Sequence, residues 1–78
     1  MESRSSRDES RRLHALLRTM REEAGIRQVD LAHMLGVPQS FVSKYESGER
    51  RLDVIETRAI ARALGSSLME VIDRFERE

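Results

Sequence analysis

The chain of 78 residues contains no cysteine and no tryptophan, one proline, four glycines and 4% aromatic residues. Without cysteine, neither a disulfide framework nor a Cys-based zinc site reinforces it, and nothing indicates an oxidising compartment. No apolar run approaches the roughly 18–20 residues of a membrane span. The opening MESRSSRDES lacks the apolar centre of a signal peptide. A cytoplasmic protein with no membrane partner is therefore expected. The length fits one domain near the lower limit of what a single core stabilises, and it excludes a second, catalytic domain. Packing, helped by oligomerisation, has to supply the stability.

Net charge is also absent, since 14 Lys plus Arg offset 14 Asp plus Glu. That balance argues against a protein that coats polyanions without selectivity. Its distribution is uneven: residues 1–27 carry seven Arg against five acids, a net +2, and residues 52–78 carry four Arg against six acids, a net −2. The N-terminal part is the better host for an anion. With 36% charged residues and no strong alternating segment, the composition favours an all-α fold.

Residues 1–9 read as a flexible polar arm and 10–78 as the folded domain, with Ser6-Arg-Asp-Glu9 as a capping box opening the first helix. Leu13, Leu16, Leu17, Met20 and Ala24 then form one apolar stripe that stops near Gly25. A short second helix covers about 28–35 around Leu31, Ala32 and Leu35. Gly36-Val37-Pro38 separates it from a third, with Pro38 suited to a first helical position. After the charged loop Glu49-Arg50-Arg51, Asp53-Val-Ile-Glu56 caps a fourth helix with core candidates Val54, Ile60, Ala61 and Leu64. Ser67-Leu-Met-Glu70 caps a fifth, whose apolar residues are Leu68, Val71, Ile72 and Phe75. No internal repeat or low-complexity segment interrupts these five helices.

Two short helices joined by a three-residue turn containing glycine make a helix-turn-helix, here at about 28–47. Ala32 permits close approach of the two helices, Gly36 permits a positive φ, and Val42 locks the third helix down. Wound at about 100° per residue, GVPQSFVSKYESGER places Gln39, Ser40, Ser43, Lys44 and Ser47 on one side and Phe41, Val42 and Tyr45 on the other. Glutamine can engage adenine N6 and N7, lysine can donate to guanine O6 and N7, and serine serves base or phosphate.

The segments LRTMREEAGIRQVDLAHMLGVPQSFVSKYESGERR and ALGSSLMEV resemble the phage lambda Cro and repressor type of helix-turn-helix regulator, often called the XRE family. The similarity spans roughly residues 13–75 and implies a compact five-helix, lambda-repressor-like DNA-binding domain. In that family the third helix enters the major groove. The resemblance therefore implies base contacts from Gln39, Ser40 and Lys44. It implies phosphate contacts from Gln28, Ser43, Arg50 and Arg51, assisted by Arg18 and Arg27, with Gln28 also bracing the reading helix. Arg21 and Glu46 match a family pair that is structural. Two or three base contacts per subunit discriminate only modestly, so a homodimer on a pseudo-palindromic operator, acting as a transcriptional repressor, is expected. Phe75, Met69, Ile55 and the fifth helix are its candidate surface. The sequence departs from the pattern at Arg27 and Pro38, where capping hydroxyls are common, and at Thr57, usually apolar. Phe41 is left open between meeting a thymine methyl and packing sideways.

The alternative is an adaptor or antitoxin-like module with a protein partner on the same scaffold, motivated by the zero net charge and acidic C-terminal half. No enzyme is expected, because Asp30 and His33 lack a nucleophile, a phosphate loop or an orienting group. His14 and His33 are expected on the surface, without a metal or other cofactor. Arg11 and Arg12 are expected to be solvated, and Met34 and Met69 to point outward. Few residues follow the fifth helix, so control is expected through dimerisation, proteolysis or a partner.

Overall fold

The computed structural model describes residues 4–78, with side-chain surroundings from residue 6 onward. Five helices follow one another: α1 Arg4–Glu23, α2 Gln28–Leu35, α3 Gln39–Glu46, α4 Val54–Ala63 and α5 Leu68–Arg77. There is no strand among the described residues, as the composition predicts. Helix α1 already runs from Arg4, so Ser6-Arg-Asp-Glu9 lies inside it and caps nothing. The part of the expected arm at residues 1–3 lies outside the described residues.

The expected caps of α4 and α5 form. Asp53 Oδ1 accepts from the Glu56 amide at 2.7 Å, and Glu56 Oε1 accepts from the Asp53 amide at 2.9 Å, a reciprocal box that satisfies two helix-end donors. Ser67 Oγ accepts from the Glu70 amide at 3.1 Å. Arg27 and Pro38, which precede the first residues of α2 and α3, provide no side-chain cap, as their residue types require. Pro38 precedes the first helical residue instead of occupying it.

Gly36 carries the helix-turn-helix corner. At φ 70° it sits in the left-handed region, and the amides of Gly36 and Val37 donate to the carbonyls of His33 and Ala32 at 3.1 and 3.0 Å. That pairing satisfies the last carbonyls of α2 while turning the chain into α3.

Leu16, Leu17, Leu31, Ala32, Val42, Tyr45, Ile60, Ala61 and Val71 form the core, drawn from all five helices. Leu13, Met20, Leu64 and Phe75 pack on its edge. Three apolar expectations change: Val54 is 65% exposed, Ile72 is 43% exposed, and Ala24 lies outside the core. Val54 is the first residue of α4, directly after the capping Asp53 where the chain leaves the loop. Thr57 is buried, yet its hydroxyl donates to the Asp53 carbonyl at 2.8 Å, which removes the cost of placing it there. His14 is a larger correction. It is 5% exposed, not a surface residue, because α1 presses that face against Tyr45.

Candidate nucleic-acid interface

Helix α3 is fixed by its inward side and by its last turn. Val42 and Tyr45 are fully buried, and Phe41 meets the Tyr45 ring edge-on at 6.0 Å between centroids. Phe41 therefore packs sideways, under the Arg50 guanidinium at 4.3 Å, and helps hold the loop that follows.

Glu46 ties α3 to α1 and α2. Arg21 Nε donates to Glu46 Oε2 at 2.7 Å and Nη2 donates to Oε1 at 3.0 Å, a two-pronged pair with side chains 9% and 2% exposed. Arg21 Nη1 donates to the Ile26 carbonyl at 2.8 Å. The bond to Glu46 raises the guanidinium's affinity for its proton still further. Gln28 Nε2 completes the carboxylate at 2.9 Å, and Gln28 Oε1 accepts from Gln39 Nε2 at a long 3.5 Å. The buried charge thus has three donors, and its network reaches the first residue of α3. The Gln28–Glu46 bond was not evident from the sequence, since the two residues are 18 positions apart on different helices.

The outward side carries the opposite pattern. Gln39, Ser40, Ser43 and Lys44 are exposed. Ser40, Ser43 and Lys44 have no side-chain partner among the described residues. Ser47, on the same side, is spent on the helix end: its Oγ lies 3.0 Å from the Lys44 carbonyl and 3.1 Å from Glu49 Oε2.

The expected phosphate contacts fall into three groups. Gln28 and Ser43 flank the exposed face of α3. Arg18 and Arg27 are exposed and hold Glu22 at 3.3 Å and Asp30 at 2.8 Å; such solvent-exposed pairs are worth little and exchange readily for a phosphate. Arg50 is the most committed. Its two terminal nitrogens donate to the Glu56 carboxylate at 3.2 and 2.9 Å, and one also donates to the Arg51 carbonyl at 2.9 Å. That bond, with the Asp53 amide, holds the Glu56 carboxyl below the usual carboxylate range. Arg51 is exposed in the same loop. Arg12, expected to be solvated, lies over the Phe75 ring at 4.9 Å and covers an edge assigned to a dimer surface. Met69 and Ile55 are 79% and 60% exposed.

A cluster at the other side of α3 was missed. Arg7, Ser10, Arg11 and His14 share one face of α1 and meet Gly48 and Arg51 around a recess of about 130 Å³. A second recess of about 220 Å³ shares Arg11, His14 and Gly48 and adds Glu46 and Ser47. The spacing 7, 11, 14 is the signal that was available, one residue every helical turn. Burial, with the Arg51 charge adding to it, lowers the proton affinity of His14.

A family model, Helix-turn-helix, matches residues 17–71. No curated protein matches the chain. Among solved structures, an XRE-family like protein from Pseudomonas syringae pv. tomato str. DC3000 is 44% identical, with 90% of this chain and 85% of that one covered and a TM-score of 0.84. The clp gene regulator ClgR from Corynebacterium glutamicum is 25% identical, covering 88% and 73%, at a TM-score of 0.80. A point mutant of the restriction-modification controller protein C.Esp1396I shares the fold at a TM-score of 0.83 and 23% identity, over 99% and 92% of the two chains.

Proposed function

This chain belongs to the XRE family of helix-turn-helix DNA-binding transcriptional regulators, and from that premise we propose that it represses by occupying a pseudo-palindromic operator as a homodimer. Helix α3 enters the major groove, and Gln39, Ser40 and Lys44 read base edges there. Gln28, Ser43, Arg51, Arg18 and Arg27 hold the sugar-phosphate strands on either side, with Arg50 stiffening the loop and lending charge.

One observation carries the reading. The same helix is locked by Val42, Tyr45 and Glu46 on its inner side and leaves Ser40, Ser43 and Lys44 exposed and unpartnered on its outer side. A rod held this firmly loses little freedom when it docks, so its outward hydrogen-bonding groups are available for a duplex. The exposed Ile55, Met69 and Ile72 support the dimer, which places two reading helices about 10 base pairs apart.

Incubation with random genomic fragments against excess poly(dI-dC) at moderate salt tests the reading. Selective retention of a small set of fragments sharing an inverted repeat is the expected result. Retention of none, or of all alike, overturns it.

A further inference from the structure

Three of the arginines read above as phosphate contacts already hold an acid, and the three pairs differ in kind. Arg50 is fixed in place: its terminal nitrogens bond both oxygens of Glu56, which also accepts the Asp53 amide, so parting the two disturbs the cap of α4. Arg18 Nε donates to Glu22 at 3.3 Å, a single long contact. Arg27 combines good geometry with freedom. Its Nε and Nη2 donate to the two oxygens of Asp30 at 2.8 and 3.2 Å, while the two side chains stay 76% and 49% exposed.

Position gives this pair its consequence. Arg27 directly precedes Gln28, whose amide nitrogen bonds Glu46 and whose oxygen meets Gln39, the first residue of the reading helix. It also stands where capping hydroxyls are common, yet it makes no side-chain cap, so Asp30 is what holds the guanidinium. A fork of donors that fits a carboxylate fits a phosphate equally well, since both offer two oxygens at matching spacing. The acid beside Arg27 is therefore an internal rival for the ligand that the arginine is read to take.

We infer that Asp30 sets the chain's overall affinity for DNA: it competes with a backbone phosphate for Arg27, keeps the grip on every sequence weak, and leaves discrimination to α3. This rests on the reading that Arg27 meets the sugar-phosphate strand. Binding then trades one ion pair for another. The contact to Asp30 is given up, a contact to phosphate forms, and the freed carboxylate is left beside a polyanion, where it takes up a cation. Arg27 thus adds little net counterion release in the native chain.

The experiment measures binding of the full chain to two unrelated random-sequence duplexes across a salt series, for the native protein, Asp30→Asn, Arg27→Gln and the double variant, with circular dichroism to report folding. Asp30→Asn is expected to tighten both duplexes alike by about two- to fivefold, the worth of one exposed ion pair, and to steepen the salt slope by up to about one. Placed in the Arg27→Gln background, the same change is expected to gain at least about twofold less, the mark of direct coupling. Asp30→Glu, which keeps the charge, is expected to bind as the native chain does. No gain from Asp30→Asn, a gain on one duplex alone, or an equal gain with and without Arg27, which means long-range repulsion only, overturns the inference.

A second arm without DNA separates this inference from the reading beneath it. The bond to Arg27 holds the Asp30 carboxyl below its usual range, so its carbon signal, followed by NMR against pH, is expected to titrate lower in the native chain than in Arg27→Gln. Identical titrations show that the pair does not form in solution and overturn the inference while native DNA binding still supports the operator reading. Absence of DNA binding by every chain overturns both.

Discussion

Tyr45 and Glu46 are neighbours at the end of α3, and the protein treats their buried polar groups in opposite ways. Glu46 receives three donors from two other helices, so the charge is compensated and α3 is pinned. The Tyr45 hydroxyl receives none, and neither does Nδ1 of His14 beside it. The ring burial that shields the hydroxyl pushes its ionisation up, so it stays neutral at any physiological pH. The satisfied site is a brace. The unsatisfied one is a cost accepted where well-packed rings, Tyr45 against His14 and Phe41, outweigh a lost bond.

The largest break in this comparison comes from Arg21→Met. It strands a carboxylate that is 2% exposed, at a cost of about 3–5 kcal/mol, out of the roughly 5–15 kcal/mol that holds a small domain together. Urea unfolding reads it, and a loss below about 1 kcal/mol shows that the pair is not a brace. Tyr45→Phe is the matched opposite. It removes a hydroxyl with no partner and keeps the ring, so stability changes by less than about 1 kcal/mol in either direction. A loss near that of Arg21→Met means the hydroxyl is bonded after all.

Arg51→Ala sharpens the comparison from the loop side. It is expected to weaken binding to every DNA sequence alike and to flatten the salt slope by about one, because a phosphate contact carries no base information. A selective loss on one sequence contradicts that role. The same variant removes a charge that disfavours imidazolium at His14.

The smallest effect is the pH dependence of stability. The His14 proton affinity is lowered in the fold from an ordinary pKa of 6.5, so its contribution is complete above that value and is lost as pH falls through the lower folded pKa. Urea midpoints are expected to fall as pH drops below 6.5, ahead of a separate decline when Glu56, also depressed, titrates at still lower pH. His14→Gln is expected to remove the first decline and leave the second. Midpoints flat to the carboxylate range indicate a solvated imidazole.

Much of this was legible from local rules. The glycine-ended helices, the Asp53–Glu56 box and the three-residue corner at Gly36 are decided within a few residues, so spacing alone locates them. The exposure of Ser40 and Lys44 follows from one helical wheel once Val42 and Tyr45 are placed inward. What was not legible depends on which helix lies opposite. Periodicity marked Val54 and Ile72 as core, yet they lie 65% and 43% exposed. His14 reads as surface until α1 is laid against Tyr45, and the recess exists only because residue 48 returns beside residues 7–14. Arg50 reads as a phosphate ligand by charge, whereas its geometry commits it first to Glu56 and Phe41.

The most direct test of the central claim is a competition assay between operator and random duplex for the native chain and a folded Gln39→Ala/Ser40→Ala/Lys44→Ala variant. The account predicts that the variant keeps its salt-dependent affinity for random DNA while its preference for operator collapses towards none. A variant that still discriminates as the native chain does would show that sequence is read elsewhere on the molecule.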